Sequence, residues 1–306
     1  MQANKGKVLA IVGPTCTGKS DLALWLAPKV GGEIVNSDSM QVYRGFDIGS
    51  AKPDRRIRAQ VPHLLVDVAA PDEEFNAARF QKAADDAIRE VWSRERTPIV
   101  VGGTGLYLRV LFHGLFPVQN DPALRERLRE GYAEDPLRSY EELKAVDPQY
   151  ALSISFRDVV RVVRALEIYH ASGMTMSQWK AGHGFREQRY EVCKIGLSVD
   201  RRELYERIDR RVERMLDEGW VAEVEGLIKA GWATSLKPFQ SIGYREIVLY
   251  LQGQLSYAAM VERIKTATRH YGKRQITWFS KEKEIHWYDC PGDRDKILEG
   301  VTRFLA

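Results

Sequence analysis

Residues 13–20 have the composition and spacing of a loop that binds phosphate groups. They match the pattern G-x-x-x-x-G-K-[ST] at every fixed position. The loop follows an apolar run at residues 8–12 and precedes a predicted helix, which is the context that the motif requires. Backbone N–H groups of such a loop face phosphate oxygens at a helix N-terminus. The predicted phosphate-binding residues are Gly13, Pro14, Thr15, Cys16, Thr17, Gly18, Lys19 and Ser20.

Two side chains at the end of this loop would carry its chemistry. Lys19 is positioned for the terminal phosphate, and the hydroxyl of Ser20 for a bound Mg²⁺, which is the cofactor and the metal site that we predict. We interpret Cys16 as a small loop residue rather than a reactive thiol. The loop alone indicates a phosphate ligand but no reaction, because kinases, NTPases and other transferases share it. Since no apolar run ends in a clear Walker B acid, with residues 64–67 the nearest candidate, a motor or switch NTPase is disfavoured.

An acidic residue, Asp38, follows the second predicted strand at residues 33–36. It therefore falls at the same edge of the sheet as the phosphate loop. A carboxylate at this place could accept a proton from a nucleophile or bind Mg²⁺. The alternative is an aspartate that caps a turn between two serines, which is a common role for this residue type. From spacing alone the two interpretations stay open.

The elements that must hold these residues alternate between strands and helices. Apolar strands are predicted at residues 8–12, 33–36, 64–68, 98–101 and 192–199, with helices at 21–27 and 76–94. This alternation predicts a P-loop NTPase-like α/β core, with a parallel sheet flanked by helices. In such sheets ligands bind beyond the carboxyl ends of the strands.

The sequence pattern between residues 121 and 189 differs from that of the core and predicts an all-helical insertion domain. Helical patterns at residues 123–132, 137–146 and 157–171 follow without any strand signal, and a loop is expected from there to residue 189. Three Asp-Pro pairs precede helical stretches, and this order suits an aspartate cap followed by proline in the first turn. We therefore predict a core of residues 1–120 and 190–306, the latter mostly helical, and an insertion at 121–189.

Composition places few further limits on the function. The chain has 46 basic and 42 acidic residues, a balance that permits nucleic-acid binding without requiring it. The three cysteines, Cys16, Cys193 and Cys290, are too few and too far apart for a disulfide framework. No apolar run reaches the length of a membrane span or a signal peptide, so we expect a cytoplasmic protein without membrane association.

Several separate motifs, in the same order along the chain, resemble signature segments of the tRNA dimethylallyltransferases, which are also called tRNA isopentenyltransferases. The resemblance extends from the phosphate loop to about Trp287. No cysteine-rich zinc-finger segment is apparent, so the chain is similar to the short bacterial form. The matching motifs are residues 38–53, Pro62 with His63, residues 100–107, 161–167, 241–245 and 273–278.

The resemblance implies an activity. It implies transfer of a dimethylallyl group from dimethylallyl diphosphate to the exocyclic amine of the adenosine 3′ of the anticodon in tRNA, with release of diphosphate. The phosphate loop would then hold the diphosphate of the donor rather than a nucleotide. The implied partners are the tRNA anticodon stem-loop and dimethylallyl diphosphate, and we expect a monomer.

The resemblance also implies roles for individual residues. Asp38 would take the proton from the amine, and Thr104 would contact the phosphates or the acceptor base. Arg202 would place a second positive charge near the diphosphate. A turn-capping hydroxyl for Thr104 and a surface arginine for Arg202 are the alternatives. The implied tRNA-binding residues are Asp38, Ser39, Met40, Gln41, Thr104, Arg125, Arg161, Arg164, Gln240, Ser241, Ile242, Gly243, Tyr244 and Arg245.

The layout of charge supports one RNA-binding surface. The insertion has equal numbers of basic and acidic residues, whereas residues 261–283 have seven basic and two acidic ones. Within that stretch Lys265, Arg269 and Lys273 fall on one helical face, which is the pattern expected for phosphate contacts. Three rivals stay open: a small-molecule P-loop kinase, an adenylate isopentenyltransferase with a free nucleotide as acceptor, and an RNA-binding regulator without turnover.

Overall fold

The computed structural model describes residues 6–116, 121–183, 187–289 and 291–306. It divides into two compact units, the first formed by Met1–Phe112 with Arg189–Ala306 and the second by His113–Gln188. The predicted boundary at residue 120 lies outside the described residues, as does Cys290. The first unit as described includes residues up to Phe112 and from Arg189 onwards, and the predicted domain bounds stay a prediction.

The first unit is built on a six-stranded sheet whose paired strands all run parallel, in the order β3-β2-β4-β1-β5-β6. The central strands are apolar along their whole length because helices cover both faces of such a sheet. This architecture confirms the predicted α/β fold class. The strands are β1 (Lys7–Val12), β2 (Gly32–Asn36), β3 (His63–Leu64), β4 (Thr97–Gly102), β5 (Glu191–Ser198) and β6 (Ile285–Asp289).

Fourteen helices are found in the part of the chain that the structure describes. In chain order they are α1 (Lys19–Leu26), α2 (Arg55–Gln60), α3 (Ala77–Ser93), α4 (Gly105–His113), α5 (Pro122–Glu134), α6 (Pro136–Val146), α7 (Pro148–Ala151), α8 (Val159–Ser172), α9 (Met176–His183), α10 (Arg201–Asp217), α11 (Trp220–Lys229), α12 (Tyr244–Leu251), α13 (Tyr257–Phe279) and α14 (Arg294–Leu305). None of them combines the length and the apolar content of a membrane-spanning helix.

The Asp-Pro pairs start helices in the second unit as predicted. The side chains of Asp121, Asp135 and Asp147 each accept a hydrogen bond from a backbone N–H in the first turn of α5, α6 and α7. Proline occupies the first helical position, where its missing N–H costs nothing. The core of this unit is formed by Leu143, Tyr150, Ala151, Val162, Ala165, Leu166, Ile168 and Met176.

The structure differs from the predicted elements in several places. The predicted strand at residues 64–68 ends after Leu64, because Leu65 and Asp67 adopt left-handed backbone conformations with φ of 63° and 60°. Helix α9 lies where a loop was expected. The short strand β6 and helix α14 near the end of the chain were not predicted.

Candidate active site

A cavity of about 680 Å³ opens at the carboxyl ends of β1, β2 and β4. The phosphate loop forms one side, and the turn that carries Asp38 forms another. Helices α10 and α13 contribute arginines, Tyr271 and Gln275 to its lining. The cavity therefore joins segments that are far apart in the sequence, at the sheet edge where ligands of parallel sheets bind.

Backbone conformation shapes the phosphate loop between β1 and α1. Gly13 has φ of 139°, and a Cβ there would lie 2.7 Å from the carbonyl oxygen of Leu197. Gly18 also has a positive φ, at the N-terminus of α1. The hydroxyl of Thr17 donates to the carbonyl oxygen of Pro14 at 2.9 Å and closes the loop. This arrangement suits a cradle of N–H groups for phosphate oxygens.

Lys19 is the charged group at the base of the cavity. Its Nζ donates to the carbonyl oxygen of Pro14 at 2.5 Å. Burial, and next the positive charge of Arg211, lowers the pKa of Lys19 to about 8. A guanidinium nitrogen of Arg211 also lies 3.9 Å from the sulfur of Cys16. Two cations thus lie close together at the loop, an arrangement that an anionic ligand would stabilise.

Asp38 serves the turn with one oxygen and lines the cavity. Its Oδ1 accepts hydrogen bonds from the backbone N–H of Met40 at 2.8 Å and of Gln41 at 3.4 Å. Asn36 holds the turn from below by accepting from the N–H of Asp38 at 3.1 Å. Within the described ranges Asp38 Oδ2 has no hydrogen-bond partner, which leaves it available to a ligand. Asp38 therefore caps the turn and also lines the cavity, while its role as a proton acceptor stays a prediction.

Thr104 lies on the turn after β4, next to the Asp38 segment. Its hydroxyl accepts a hydrogen bond from the backbone N–H of Ser39 at 3.3 Å. Tyr271 of α13 lines the cavity. Burial, and next the negative charge of Asp38, raises the pKa of the Tyr271 phenol. The phenol of Tyr271 therefore stays protonated where it lines the site, and this residue was not among the predicted site residues.

Gln275 of α13 ties two of the site's loops together. Its Oε1 accepts from the backbone N–H of Thr15 at 2.8 Å, and its Nε2 donates to the carbonyl oxygen of Gly103 at 2.9 Å. A Cβ on Gly103 would lie 2.2 Å from that same Nε2. The side chain therefore fixes the spacing between the phosphate loop and the glycine turn before Thr104.

A stripe of four arginines on α10 lines the cavity and was not predicted. These arginines, called the α10 stripe below, are Arg207, Arg210, Arg211 and Arg214. Three of them are spaced i, i+4 and i+7, so they share one helical face. That spacing is readable in the sequence, and it is the signal that could have identified them.

Arg202, predicted to support the diphosphate, does not line this cavity among the described residues. Its side chain is 91% exposed, and its guanidinium lies 3.4 Å from Glu206 on the next turn. It occupies the first turn of α10, one turn or more before the α10 stripe. The position matches the alternative of a surface arginine, and the cavity takes its positive charge from further along the helix.

The segment of residues 240–245 lies before and at the start of α12. Gln240 and Arg245 are exposed, and Ser241 and Ile242 are half-buried. Gly243 has φ of 87°. Tyr244 is 1% exposed, and its hydroxyl donates to Glu223 at 2.7 Å, so its ring packs in the core, while a contact of this residue with RNA stays a prediction.

In the second unit, two of the three predicted RNA-binding arginines share a buried acid. Glu167 is fully buried, and Arg125 and Arg164 approach its carboxylate at 3.0 and 2.9 Å. Arg161 is exposed and pairs with Asp158 at 2.7 Å. The structure thus gives Arg125 and Arg164 a packing role inside this unit, while their contact with RNA stays a prediction.

The three residues of the predicted basic face of α13 do not share one environment: two pair with acidic residues of α10, and the third lines a groove. Lys265 pairs with Glu213 and Arg269 with Asp209, both on α10, at 2.5 and 3.4 Å. These cations therefore join two helices rather than face a ligand, because the same face also packs against α10. Lys273 is exposed and lines a separate groove of about 490 Å³ with Arg109, His270, Arg274, Thr277, Trp278 and Lys281.

The donor set of the cavity suits Mg²⁺ held partly by phosphate. The Ser20 hydroxyl and the Asp38 carboxylate both line the cavity. Across the described residues, no cluster of three or more His, Cys, Asp or Glu side chains could hold a metal by itself. Mg²⁺ usually takes one or two protein oxygens together with substrate phosphates and water, so these residues fit such a site.

Comparison with known proteins gives a consistent family assignment. A family model described as IPP transferase matches residues 41–282, and one described as isopentenyl transferase matches residues 6–69. A tRNA dimethylallyltransferase 1 of Pelobacter propionicus is 49% identical over 301 residues, covering 98% of this chain and 97% of the relative. Another, of Citrifermentans bemidjiense, is 47% identical over 303 residues, with 99% and 98% covered.

Solved structures with similar folds belong to the same group of enzymes. The full-length tRNA isopentenylpyrophosphate transferase of Bacillus halodurans has a TM-score of 0.74 and 35% identity, covering 98% of this chain and 97% of the other. A eukaryotic dimethylallyltransferase captured acting on tRNA has a TM-score of 0.78 and 30% identity, covering 97% and 78%. The likeness therefore extends over almost the whole of this chain.

Proposed function

This chain belongs to the tRNA dimethylallyltransferase family, and we propose that its cavity binds the diphosphate of dimethylallyl diphosphate beside the acceptor base. It is an enzyme that prenylates tRNA. The observation that carries the proposal is that Lys19, the α10 stripe and Asp38 line one cavity. We expect it to act as a monomer in the cytoplasm.

The phosphate end of the cavity is suited to a leaving diphosphate. As the allylic C–O bond breaks, negative charge develops on the diphosphate oxygens. Lys19, Arg211 and the loop N–H groups are fixed donors at that place, so they stabilise this charge without reorganising. An allylic carbon tolerates partial positive charge, and stabilisation of the leaving group is therefore the main demand on the protein.

Asp38 supplies the other half of the reaction. The exocyclic amine of adenine is a poor nucleophile because its lone pair is delocalised into the ring. It forms the new N–C bond as diphosphate leaves, and its proton passes to the Asp38 carboxylate. Thr104 and Tyr271 provide hydroxyl groups on the same side, where they can orient the base. The acceptor we propose is the adenosine 3′ of the anticodon, turned out of its stack to reach the cavity.

Mg²⁺ would be held by the Ser20 hydroxyl and by the diphosphate itself. When bound, it would neutralise charge on the leaving group. The protein's own contribution is to hold the diphosphate on the loop and to keep the carboxylate beside the base.

Asp38→Asn tests the role of the carboxylate. The amide keeps an oxygen that can accept from Met40 N–H, since asparagine caps turns as well as aspartate does. It cannot take a proton from the amine, so transfer to unmodified tRNA should fall about 100-fold or more. Binding of tRNA and of inorganic diphosphate should change little. Asp54→Asn is the matched control, because Asp54 caps α2 in the same way outside the cavity.

The same assay separates the donors. Wild-type protein is incubated with unmodified tRNA and either dimethylallyl diphosphate or labelled ATP, and adenosine monophosphate replaces tRNA in a third reaction. We expect product only with dimethylallyl diphosphate and tRNA. Normal turnover of Asp38→Asn would remove the base assignment, and product from ATP or from the free nucleotide would replace the proposed substrates.

A further inference from the structure

Glu223 of α11 binds two loops at once. Its carboxylate accepts hydrogen bonds from the backbone N–H groups of Asp47 at 3.0 Å, Ile48 at 2.6 Å and Gly49 at 3.4 Å. It also accepts from the hydroxyl of Tyr244 at 2.7 Å. Three successive N–H groups and a phenol therefore converge on one anion, which is the geometry of strong, charge-assisted hydrogen bonds.

Trp220, one turn earlier on α11, packs against the same two loops. It is 2% exposed. A Cβ on Gly49 would lie 2.1 Å from its indole, and a Cβ on Gly243 would lie 1.9 Å from it. Both loops therefore approach this ring so closely that only glycine fits at the contact. The Trp220 and Tyr244 rings also meet edge to face, with centroids 5.5 Å apart.

One of these loops leads directly to the reactive carboxylate. The side-chain amide of Gln41 donates to the carbonyl oxygens of Ser50 and Ala51, both at 3.1 Å. The backbone N–H of Gln41 in turn donates to Asp38. Since Glu223 holds residues 47–49 and the backbone continues directly to Ser50 and Ala51, α11 is joined to the Asp38 turn through two sets of hydrogen bonds and one short segment.

We propose that Glu223, with Trp220, is a positioning residue that holds residues 46–51 and residues 240–245 in one fixed relation so that both meet the RNA together. The inference rests on the proposed function, because it requires RNA to be the acceptor. Glu223 does not line the cavity, so it acts on the reaction through Gln41 and the loops rather than by touching substrate. Two loops that are almost 200 residues apart in the sequence would otherwise have to be ordered separately on binding.

Glu223→Gln is the most direct test. The amide keeps the shape and one acceptor oxygen, but its NH₂ group faces backbone N–H donors that it cannot accept from. We expect the KM for tRNA to rise about tenfold, with kcat at saturating tRNA within about threefold of wild type. Binding of inorganic diphosphate should be unchanged. Glu225→Gln is the matched control, since Glu225 lies on the same helix, is exposed and pairs with Lys229.

Amide hydrogen exchange provides a readout that does not depend on activity. In Glu223→Gln, peptides covering residues 46–51 and 240–246 should both exchange faster, while peptides of the phosphate loop should not. Faster exchange in one segment alone would show that Glu223 does not couple them. An unchanged KM for tRNA would also overturn the proposal, as would an equal loss of diphosphate binding, which indicates general disruption.

A second variant keeps the proposal testable if Glu223→Gln does not fold. Tyr244→Phe keeps the buried ring and removes a single hydrogen bond to Glu223, so the KM for tRNA should rise about threefold. A wild-type KM in this folded variant would count against the proposal. If instead the wild-type protein transferred no prenyl group to tRNA while both peptides still responded to Glu223→Gln, the proposed function would fail and the coupling of the loops would survive.

Discussion

At the scale of single residues, the site depends on keeping its positively charged side chains apart from its carboxylate. Lys19 is buried beside Arg211, whereas Asp38 lines another side of the same cavity. The cost of holding two cations close together is offset when an anionic ligand binds, so the ligand-free loop is prepared for phosphate. The carboxylate is tied to its turn by one oxygen, which leaves the other for chemistry.

The lowered pKa of Lys19 predicts a pH dependence of diphosphate binding. Diphosphate binds the protonated amine, so affinity should be flat below about pH 8 and should fall up to ~tenfold per pH unit above it. Calorimetric titration of inorganic diphosphate across this range measures the effect. Dividing the affinity of the wild type by the affinity of Lys19→Gln at each pH cancels the effect of the ionisation of diphosphate itself. If this ratio of affinities stayed constant between pH 7 and 10, the lowered pKa of Lys19 would be wrong.

The same shift has a defined consequence for stability. The folded pKa of about 8 lies below the ordinary value of 10.5, so between these values the unfolded chain binds more protons than the folded one. The contribution of Lys19 to the ligand-free protein is therefore least favourable below pH 8 and becomes less costly as the pH rises towards 10.5. Ligand binding and intrinsic stability should respond to pH in opposite directions.

Site residues could be predicted from the sequence where a short local motif determines their position in the fold. The phosphate loop is such a pattern, because its glycines, lysine and serine must follow one another between a strand and a helix. The resemblance implied Arg202, at the start of α10, but the arginines that line the cavity lie about one to three turns further along this helix. The direction of a helix relative to the sheet decides this, and it is set by long-range packing that spacing alone does not contain.

At the scale of elements, α13 organises the site from the far end of the sequence. Through Gln275 it contacts both the phosphate loop and the turn before Thr104. Through Lys265 and Arg269 it is joined to α10, which carries the α10 stripe. One long helix therefore sets the distance between the diphosphate end and the acceptor end of the cavity.

Two substitutions of Gln275 test whether its bridge between the phosphate loop and the turn before Thr104 matters for diphosphate binding. Gln275→Glu places a carboxylate against the carbonyl oxygen of Gly103 and close to the bound diphosphate, so affinity for inorganic diphosphate should fall about tenfold or more. Gln275→Met keeps the length without the charge and should lose less. Equilibrium binding of diphosphate measures both. Equal affinities of wild type and Gln275→Glu would show that this bridge does not shape the phosphate loop.

Elements were predictable from the sequence where burial or capping is strong. The buried strands β1, β2, β4 and β5 read as apolar runs, and the Asp-Pro pairs mark helix starts in the second unit. Strand β6 has a single buried residue, Ile285, among its five positions and gives too little signal. The end of β3 was misjudged because leucine rarely adopts the left-handed conformation that Leu65 has, so its residue type does not indicate where the strand ends.

At the scale of the whole molecule, the chain consists of a catalytic α/β unit and a helical unit with a core of its own. The helical unit contains a fully buried acid, Glu167, between two arginines. Such a group is costly to leave unpaired, so it helps to specify how α5 and α8 pack. Charge in this unit therefore serves its internal structure as well as any contact with RNA.

Glu167→Ala should destabilise the helical unit by about 3 kcal/mol, because two partly buried guanidinium groups lose their shared partner. Hydrogen exchange of peptides from α5 and α8 in the full-length protein measures this locally. The control is Glu141→Gln, which removes an exposed pair with Lys144 and should change stability by less than about 0.5 kcal/mol. Protection of α5 and α8 equal to wild type would show that Glu167 contributes no net stability.

The central claim is that the cavity transfers a prenyl group from a diphosphate donor to an adenosine of tRNA. Mass spectrometry of nucleosides from unmodified tRNA, after incubation with the protein, Mg²⁺ and dimethylallyl diphosphate, tests it most directly. We predict one new nucleoside, an adenosine carrying a dimethylallyl group on its exocyclic amine, mapping 3′ of the anticodon and missing with Asp38→Asn. An unmodified nucleoside profile with folded wild-type protein that binds inorganic diphosphate, or the same product from Asp38→Asn, would show that the proposed reaction is wrong.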